Sequence, residues 1–195
     1  MSLKNTVRNY GLIARTLHWL TALLFLGAYM AVYYRQWFTE QKTPENWNAL
    51  QLHLSFGISI GVLVFLRILW KVMNESPALE PGPKWQHLAA HVGHYALYFV
   101  MIAMPLTGYL GTGADTDYFF LFEIPKFEST FWNQMLVIDG LGITYKEFEE
   151  PLDFFHKEIM GPVVVWMLIV GHAGAALYHH FIHKDRTLIK MTRGR

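Results

Sequence analysis

The stretch Leu152–Asp185, LDFFHKEIMGPVVVWMLIVGHAGAALYHHFIHKD, limits what this chain can become more than any other. Between His156 and Lys184 it is apolar for long enough to cross a bilayer, for which about 20 apolar residues suffice. It also carries histidines: His156 near one end, His172 deep inside, and the pair His179–His180 where the run turns basic. An ionisable side chain inside a membrane is costly, so it generally faces a partner or a cofactor. A helix built this way is suited to give one axial ligand to each of two haems.

Three further apolar runs make this a pattern of four spans, at about 12–34, 49–70, 86–110 and 153–183. The reading is a single all-α membrane domain over 1–195: a bundle of four transmembrane helices, with an outer loop at 111–152. Of the 195 residues 53% are hydrophobic and only 16% charged, against about 25% charged in a soluble domain. The first span has no small-residue cleavage site after it and is too long for a signal h-region, so it reads as a permanent anchor. Arg35, Trp37 and Phe38 mark its far interface, where aromatics and long cations settle. Gly57 and Gly61 in the second span are four residues apart and admit a close neighbour or a flat cofactor. Pro77, Pro81 and Pro83 close the second span off, and Pro105 is expected to kink the third. The loop 111–152 is polar but rich in aromatics, suited to short helices or to lying on the membrane surface.

Charge assigns the sides. Segments 1–15, 67–84 and 184–195 hold eleven Lys/Arg and three acids; segments 35–45 and 111–158 hold five Lys/Arg and twelve acids. The positive-inside rule then puts both termini in the cytoplasm, which four spans allow.

Depth sorts the histidines. His18 lies a few residues inside the cytoplasmic end of span one, and His172 some seven residues inside that of span four. These two can share an inner site. His53 and His156 lie near the outer ends of spans two and four and can share an outer one. Facing imidazoles are what a low-spin b-type haem requires. Small residues beside them (Gly171, Ala173, Gly174, Ala175 and Ala176 around His172, Gly57 near His53) leave room for its plane. At about 1.5 Å per residue the two irons come to stand about 20 Å apart. Cysteine is absent, which excludes thiolate metal sites, iron–sulfur clusters and thioether-linked haem. A lone histidine in an apolar helix is more often a packing residue than a ligand, but two depth-matched pairs outweigh that reading.

The other candidates are less specific. His91 and His94, with His87 near the start of span three, suit lining of the inner haem, proton carriage or the interface. His179, His180 and His183 suit interfacial solvation or a quinone site, in which a histidine donates to a quinone oxygen and relays its proton. His179 follows His172 by seven residues, about 700° of turn, so both share nearly one face, with Lys184 close enough to assist. Met30, Met101, Met104 and Met167 read as core filling.

The segments RTLHWL, QLHLSFGISIGVLVFLRILW, AHVGHYALYFVMIAMPLTGYLG and GHAGAALYHHFIHKDRTLIKM resemble the prokaryotic cytochrome b561 family over nearly the whole chain. The resemblance implies a four-helix inner-membrane cytochrome with two haem b groups that exchanges electrons with ubiquinone. Carried over by motif, the ligands are His18, His53, His156 and His172, and His179 matches a position beside the quinone. One member type is a superoxide oxidase; related four-helix cytochromes are membrane subunits of hydrogenases and formate dehydrogenases.

One departure stands out. The two ligands of the last span are usually fourteen residues apart in the family, which returns them to about one face at ~100° per residue. Here His156 and His172 are sixteen apart, which in a straight helix sets them about 160° from each other. Gly161–Pro162 lies between them, so a kink or π-bulge is expected at about 157–162.

Three functions compete. One is an oxidoreductase or carrier joining the quinone pool to a periplasmic donor or acceptor. Another is an anchor subunit relaying electrons for a larger respiratory complex. The third is a non-redox membrane module with structural histidines. The outer loop carries Asp115, Asp117, Glu123, Glu128, Asp139, Glu147, Glu149, Glu150, Asp153 and Glu158 against Lys126, Lys146 and Lys157. That charge disfavours the steering of superoxide and fits a cationic periplasmic redox protein. Nothing in the sequence points to nucleic acid.

Overall fold

The structure, a computed structural model, describes residues 2–193; Arg195, counted above in the basic tail, lies outside them. Four helices are long and apolar enough to cross a membrane: α1 (Leu12–Phe38), α2 (Pro44–Met73), α3 (Lys84–Leu110) and a fourth helix, Tyr145–His183. The fold is the expected all-α bundle. Only 11–17% of each apolar window is buried inside the protein. Side chains such as Leu23, Phe65, Val72, Phe99 and Val170 stand outward. Water would not tolerate such a surface, whereas lipid covers it.

The helices run past the apolar segments because hydropathy marks the hydrocarbon layer and not the cap. Thr43 caps α2, its hydroxyl accepting from the Asn46 amide at 3.3 Å, with Pro44 in the first turn. Asn46 then bonds Arg35 and Thr39 and so fixes the turn between α1 and α2. The fourth helix begins at Tyr145, well before 153, behind a capping box of Thr144 and Glu147. In that box two orphan amides are satisfied reciprocally.

Two small cores hold the spans. Ala28, Ile60, Val64 and Met101 join α1, α2 and α3. Val100, Met160 and Val165 join α3 to the fourth helix. Gly61 lets α2 approach α3 at Pro105, which lies within an unbroken helix: a Cβ on Gly61 would stand 3.4 Å from the Pro105 ring.

The fourth helix is not uniform. Phe155–Val165 is wound in π-helical i→i+5 turns between α-helical segments. This is the irregularity that the His156–His172 spacing calls for, spread over more residues than 157–162.

The outer loop is more ordered than its composition suggests. Thr116–Tyr118 (β1) and Phe122–Ile124 (β2) form an antiparallel hairpin, followed by a 3₁₀ turn at Phe127–Ser129 and a π-helical segment at Asn133–Leu141. The hairpin lacks the usual Asn-Gly signal. Instead Phe119 and Phe120 take φ of 48° and 61°, a costly conformation for bulky residues that the surroundings must hold. They do so through α2. Gln51 donates to the Asp115 carbonyl and accepts from the Asp117 amide, Ser55 accepts from the Phe119 amide, and the Phe119 ring meets Phe56 edge-on.

At the other end the tail folds back on the bundle. The helix Thr187–Thr192 accepts bonds from Arg15 and Trp19 of α1 through its Thr192 and Met191 carbonyls. Buried Lys190 pairs with Glu80 and donates to the Ala78 carbonyl at 2.7 Å. A buried ammonium needs such partners.

Candidate functional site

The two histidine pairs expected from depth are brought opposite one another, the first with its rings near perpendicular and the second tilted. His53 of α2 and His156 of the fourth helix have ring centres 6.2 Å apart. His18 of α1 and His172 are 6.1 Å apart. A metal ion held by two imidazole nitrogens at about 2 Å each, with each ring centre about 1 Å behind its nitrogen, sets the centres about 6 Å apart. Both separations therefore suit an iron held between the rings.

His156 reaches its place through the π-helical stretch. Such turns advance roughly 18° less per residue than α-helical ones, so about nine of them lag by the ~160° that sixteen α-helical residues would leave over. Local chemistry favours the distortion at this point. Pro162 has no amide to continue the ladder. A Cβ on Gly161 would lie 2.9 Å from the His156 carbonyl oxygen, closer than side-chain carbons come to backbone. The Gly161 carbonyl accepts a 2.6 Å bond from the Tyr29 hydroxyl. The Trp166 indole in turn donates to the Tyr33 hydroxyl at 2.7 Å, so α1 grips the helix again beyond the distorted stretch. Gly108 of α3 clears room for the ring itself, since a Cβ there would stand 2.9 Å from His156 Cε1.

Hydrogen bonds orient the outer pair. His53 Nδ1 lies 3.0 Å from the Ala28 carbonyl. A carbonyl only accepts, so Nδ1 carries the proton and Nε2 keeps its lone pair. His156 Nδ1 lies 3.1 Å from Thr107 Oγ1, whose own hydrogen goes to the Ala103 carbonyl at 2.7 Å. His156 Nδ1 therefore also donates. A metal-ligating histidine is held in this way, its second nitrogen giving a proton to an oxygen. Thr107 and Ala28 were not singled out from the sequence; nothing local marks them, since their role depends on which helix lies opposite.

The inner pair is set differently. His94 of α3 also faces His172, with ring centres 5.8 Å apart, so three imidazoles meet there; His94 and His91 are both exposed on their outer sides. Arg67 approaches His18, its Nη2 3.3 Å from Nδ1, and its Nη1 is 3.4 Å from the Met101 sulfur. Space lies beside the ligand positions. A Cβ added to Gly57, Gly171 or Gly174 would meet no atom within 4 Å.

Beyond His172 the fourth helix ends in a second π-helical turn, His179–His183. His179 is paired through Nδ1 with Asp185 and stacks on His183. Burial works against the Asp185 carboxylate, but its bonds from His179 and from the Thr187 amide hold its pKa below the ordinary aspartate value. The nearby His180 keeps its Nδ1 buried without a hydrogen-bond partner. Lys184 is exposed, with φ of 56°. Asp185 was missed as a partner because a sequence does not say that the chain doubles back at Lys184.

At the opposite end, Lys146, Glu149, Glu150, Asp153, Lys157 and Glu158 line a shallow acidic hollow of about 360 Å³. The Lys157 ammonium at its edge is paired with Asp153 at 2.6 Å.

The family model of prokaryotic cytochrome b561 matches residues 9–194. The chain is 34% identical over 202 residues to cytochrome b561 homolog 2 of Escherichia coli (strain K12), covering 98% of this chain and 95% of the relative. It is 31% identical over 181 residues to cytochrome b561 homolog 1 of the same organism, covering 90% and 92%. It is 28% identical over 190 residues to the probable superoxide oxidase CybB of Yersinia pestis, covering 94% and 96%.

Proposed function

This chain belongs to the prokaryotic cytochrome b561 family, and from that premise we propose that it carries two haem b groups and moves electrons between ubiquinone and a donor or acceptor at the periplasmic face. At the coarser level it is a multi-pass membrane cytochrome of electron transport. The observation that carries the finer reading is the pair of facing imidazoles at each end of one bundle, 6.1 and 6.2 Å between centres.

His53 and His156 hold the outer group, and His18 and His172 the inner one. Haem b supplies reversible one-electron chemistry when bound. The chain contributes the fixed tautomers of His53 and His156 and a low-dielectric wall of apolar side chains. At the basic end, which faces the cytoplasm by the positive-inside rule, it contributes a proton-exchanging group for ubiquinone. That group is His179. Its Nδ1 is engaged by Asp185, so Nε2 is the atom left to meet a quinone oxygen. Asp185 holds the ring in place. Lys184 adds positive charge at the rim, and His180, with its unpartnered Nδ1, offers a second donor.

The acidic outer surface, with Lys157 already paired, supports a cationic redox protein over superoxide as the periplasmic reactant. The test is spectroscopic. Purified protein should give two b-type haems per chain, both extracted by acid–acetone and both reduced by ubiquinol. One haem per chain, or haems that dithionite reduces and ubiquinol does not, would sink the respective half of the proposal. Ubiquinol reduction that requires a co-purifying subunit would instead favour the anchor-subunit alternative.

A further inference from the structure

Arg67 stands half-buried near the basic end of α2, and no described carboxylate pairs with it. Among the described residues the four ion pairs are Lys126–Glu128, Lys157–Asp153, His179–Asp185 and Lys190–Glu80, none of them involving Arg67. Its contacts are a thioether, one imidazole nitrogen, and the Tyr98 side chain, which it engages by a hydrogen bond and whose ring centre is 5.8 Å from its guanidinium carbon. Lys71, one turn later on the same helix face, lies 4.3 Å from the Tyr98 ring centre and 5.5 Å from that of Tyr95. The half-buried Arg67 charge, met only by soft and neutral groups, lacks a counter-ion where desolvation makes one most valuable, and Lys71 behind it is exposed.

The contact with His18 sharpens the point. An arginine only donates, so His18 Nδ1 must accept at 3.3 Å, and the remaining nitrogen then carries the hydrogen. Neither nitrogen is left to bind a metal: one lone pair is taken by Arg67 and the other nitrogen is protonated. For His18 to ligate iron, the guanidinium must leave it and find another acceptor.

We propose that Arg67, with Lys71 behind it, takes the propionate carboxylates of the inner haem and so fixes that haem with its acidic edge toward the basic end of the bundle. Two carboxylates match two cations in number. The planar fork of Arg67 suits a carboxylate better than any group it now touches. Once Arg67 has turned to the propionate, His18 Nδ1 can hold its own proton and Nε2 can bind iron. At the outer site the two histidines are oriented instead by neutral oxygens, His53 by the Ala28 carbonyl and His156 by the Thr107 hydroxyl.

The proposal rests on an inner haem being bound, and the experiment separates the two. Wild-type protein, Arg67→Gln and Arg67→Lys are stripped of haem, then titrated with haem b and with its dimethyl ester, which lacks the carboxylates. Occupancy and potential of each haem are read optically. Wild type should bind the diester at the inner site about tenfold or more weaker than haem b, the effect of losing a charge-assisted bond. Arg67→Gln should erase that preference and lower the inner potential, because removing a cation favours the ferric form. Arg67→Lys should restore part of both. The outer haem in the same samples should be unchanged, which shows that the bundle is intact. Equal binding of haem b and diester by wild type would overturn the proposal. So would an inner haem unaltered in Arg67→Gln together with a dependence on anionic lipid content that wild type shows and the variant loses, which would assign Arg67 to a headgroup. Absence of any inner haem from wild type would instead remove the di-haem reading itself.

Discussion

The hydroxyl of Tyr29 donates a 2.6 Å hydrogen bond to the main-chain carbonyl of Gly161. Gly161 lies five residues after His156 within the π-helical stretch, where regular carbonyl pairing is disturbed. The bond comes from α1, so a neighbouring helix holds open the distortion that turns His156 toward His53. Tyr29→Phe should weaken outer-haem binding by up to about tenfold, the worth of one hydrogen bond of ~1 kcal/mol. Inner-haem binding should not move. Haem titration followed at the two spectral components measures this, and an equal loss at both would mean that Tyr29 only supports the bundle.

Gly161→Ala places a Cβ 2.9 Å from the His156 carbonyl oxygen, a backbone atom that cannot swing away. The π-helical turn must shift, and His156 with it. We expect loss of most of the outer haem, with the inner haem retained and the helix content by circular dichroism little changed. Retention of both haems would show that His156 tolerates a different winding.

The four ligand positions give a pairing test. His53→Ala and His156→Ala should remove one spectral component, and His18→Ala and His172→Ala the other. His94 makes the inner site more informative, because it stands as near to His172 as His18 does, 5.8 against 6.1 Å. His94→Ala should leave the inner haem bound. If His18→Ala retains it and His94→Ala loses it, the axial partner of His172 is His94.

His179→Leu should leave both haems bound and reducible by dithionite while slowing exchange with ubiquinone tenfold or more, the usual cost of losing a proton-transfer group. Unchanged stopped-flow rates would leave His179 as an interfacial anchor. Asp185→Asn should give a smaller slowing of the same kind, since the ring stays but is less firmly held.

Asp185 also makes the docking of the tail depend on pH. Its folded pKa lies below the ordinary value of about 4. The stabilisation is therefore fully present above about pH 4 and is lost as pH falls through the lower folded value. The Thr187 amide, which donates to Asp185 Oδ1 at 2.8 Å, should open more often as that range is entered. Hydrogen exchange at Thr187 reads this directly, and Asp185→Asn should exchange fast at every pH without that acid dependence.

Periodicity and depth are properties of one helix at a time, and these were legible in the sequence. About 20 apolar residues span a bilayer, each residue rises by about 1.5 Å, and each turns by about 100°. From those constants alone come the four spans, the common height of His18 with His172 and of His53 with His156, and the conflict that sixteen residues create between His156 and His172. What lies across a gap is not a local property. The sequence called for a break near Gly161–Pro162, but its extent, π-helical turns over Phe155–Val165 held from α1 by Tyr29, depends also on the neighbouring helix. The hairpin at 116–124 escaped the reading because its strands have three residues each and its turn is held open by Gln51 and Ser55 of another element, not by turn residues of its own. Arg67 read as one more interfacial cation until α1 brought His18, forty-nine residues away, within 3.3 Å of it. Azimuth and height come from the covalent chain; which side chain stands opposite comes from how the helices pack, and the electrostatics of a buried site depend on that opposite neighbour.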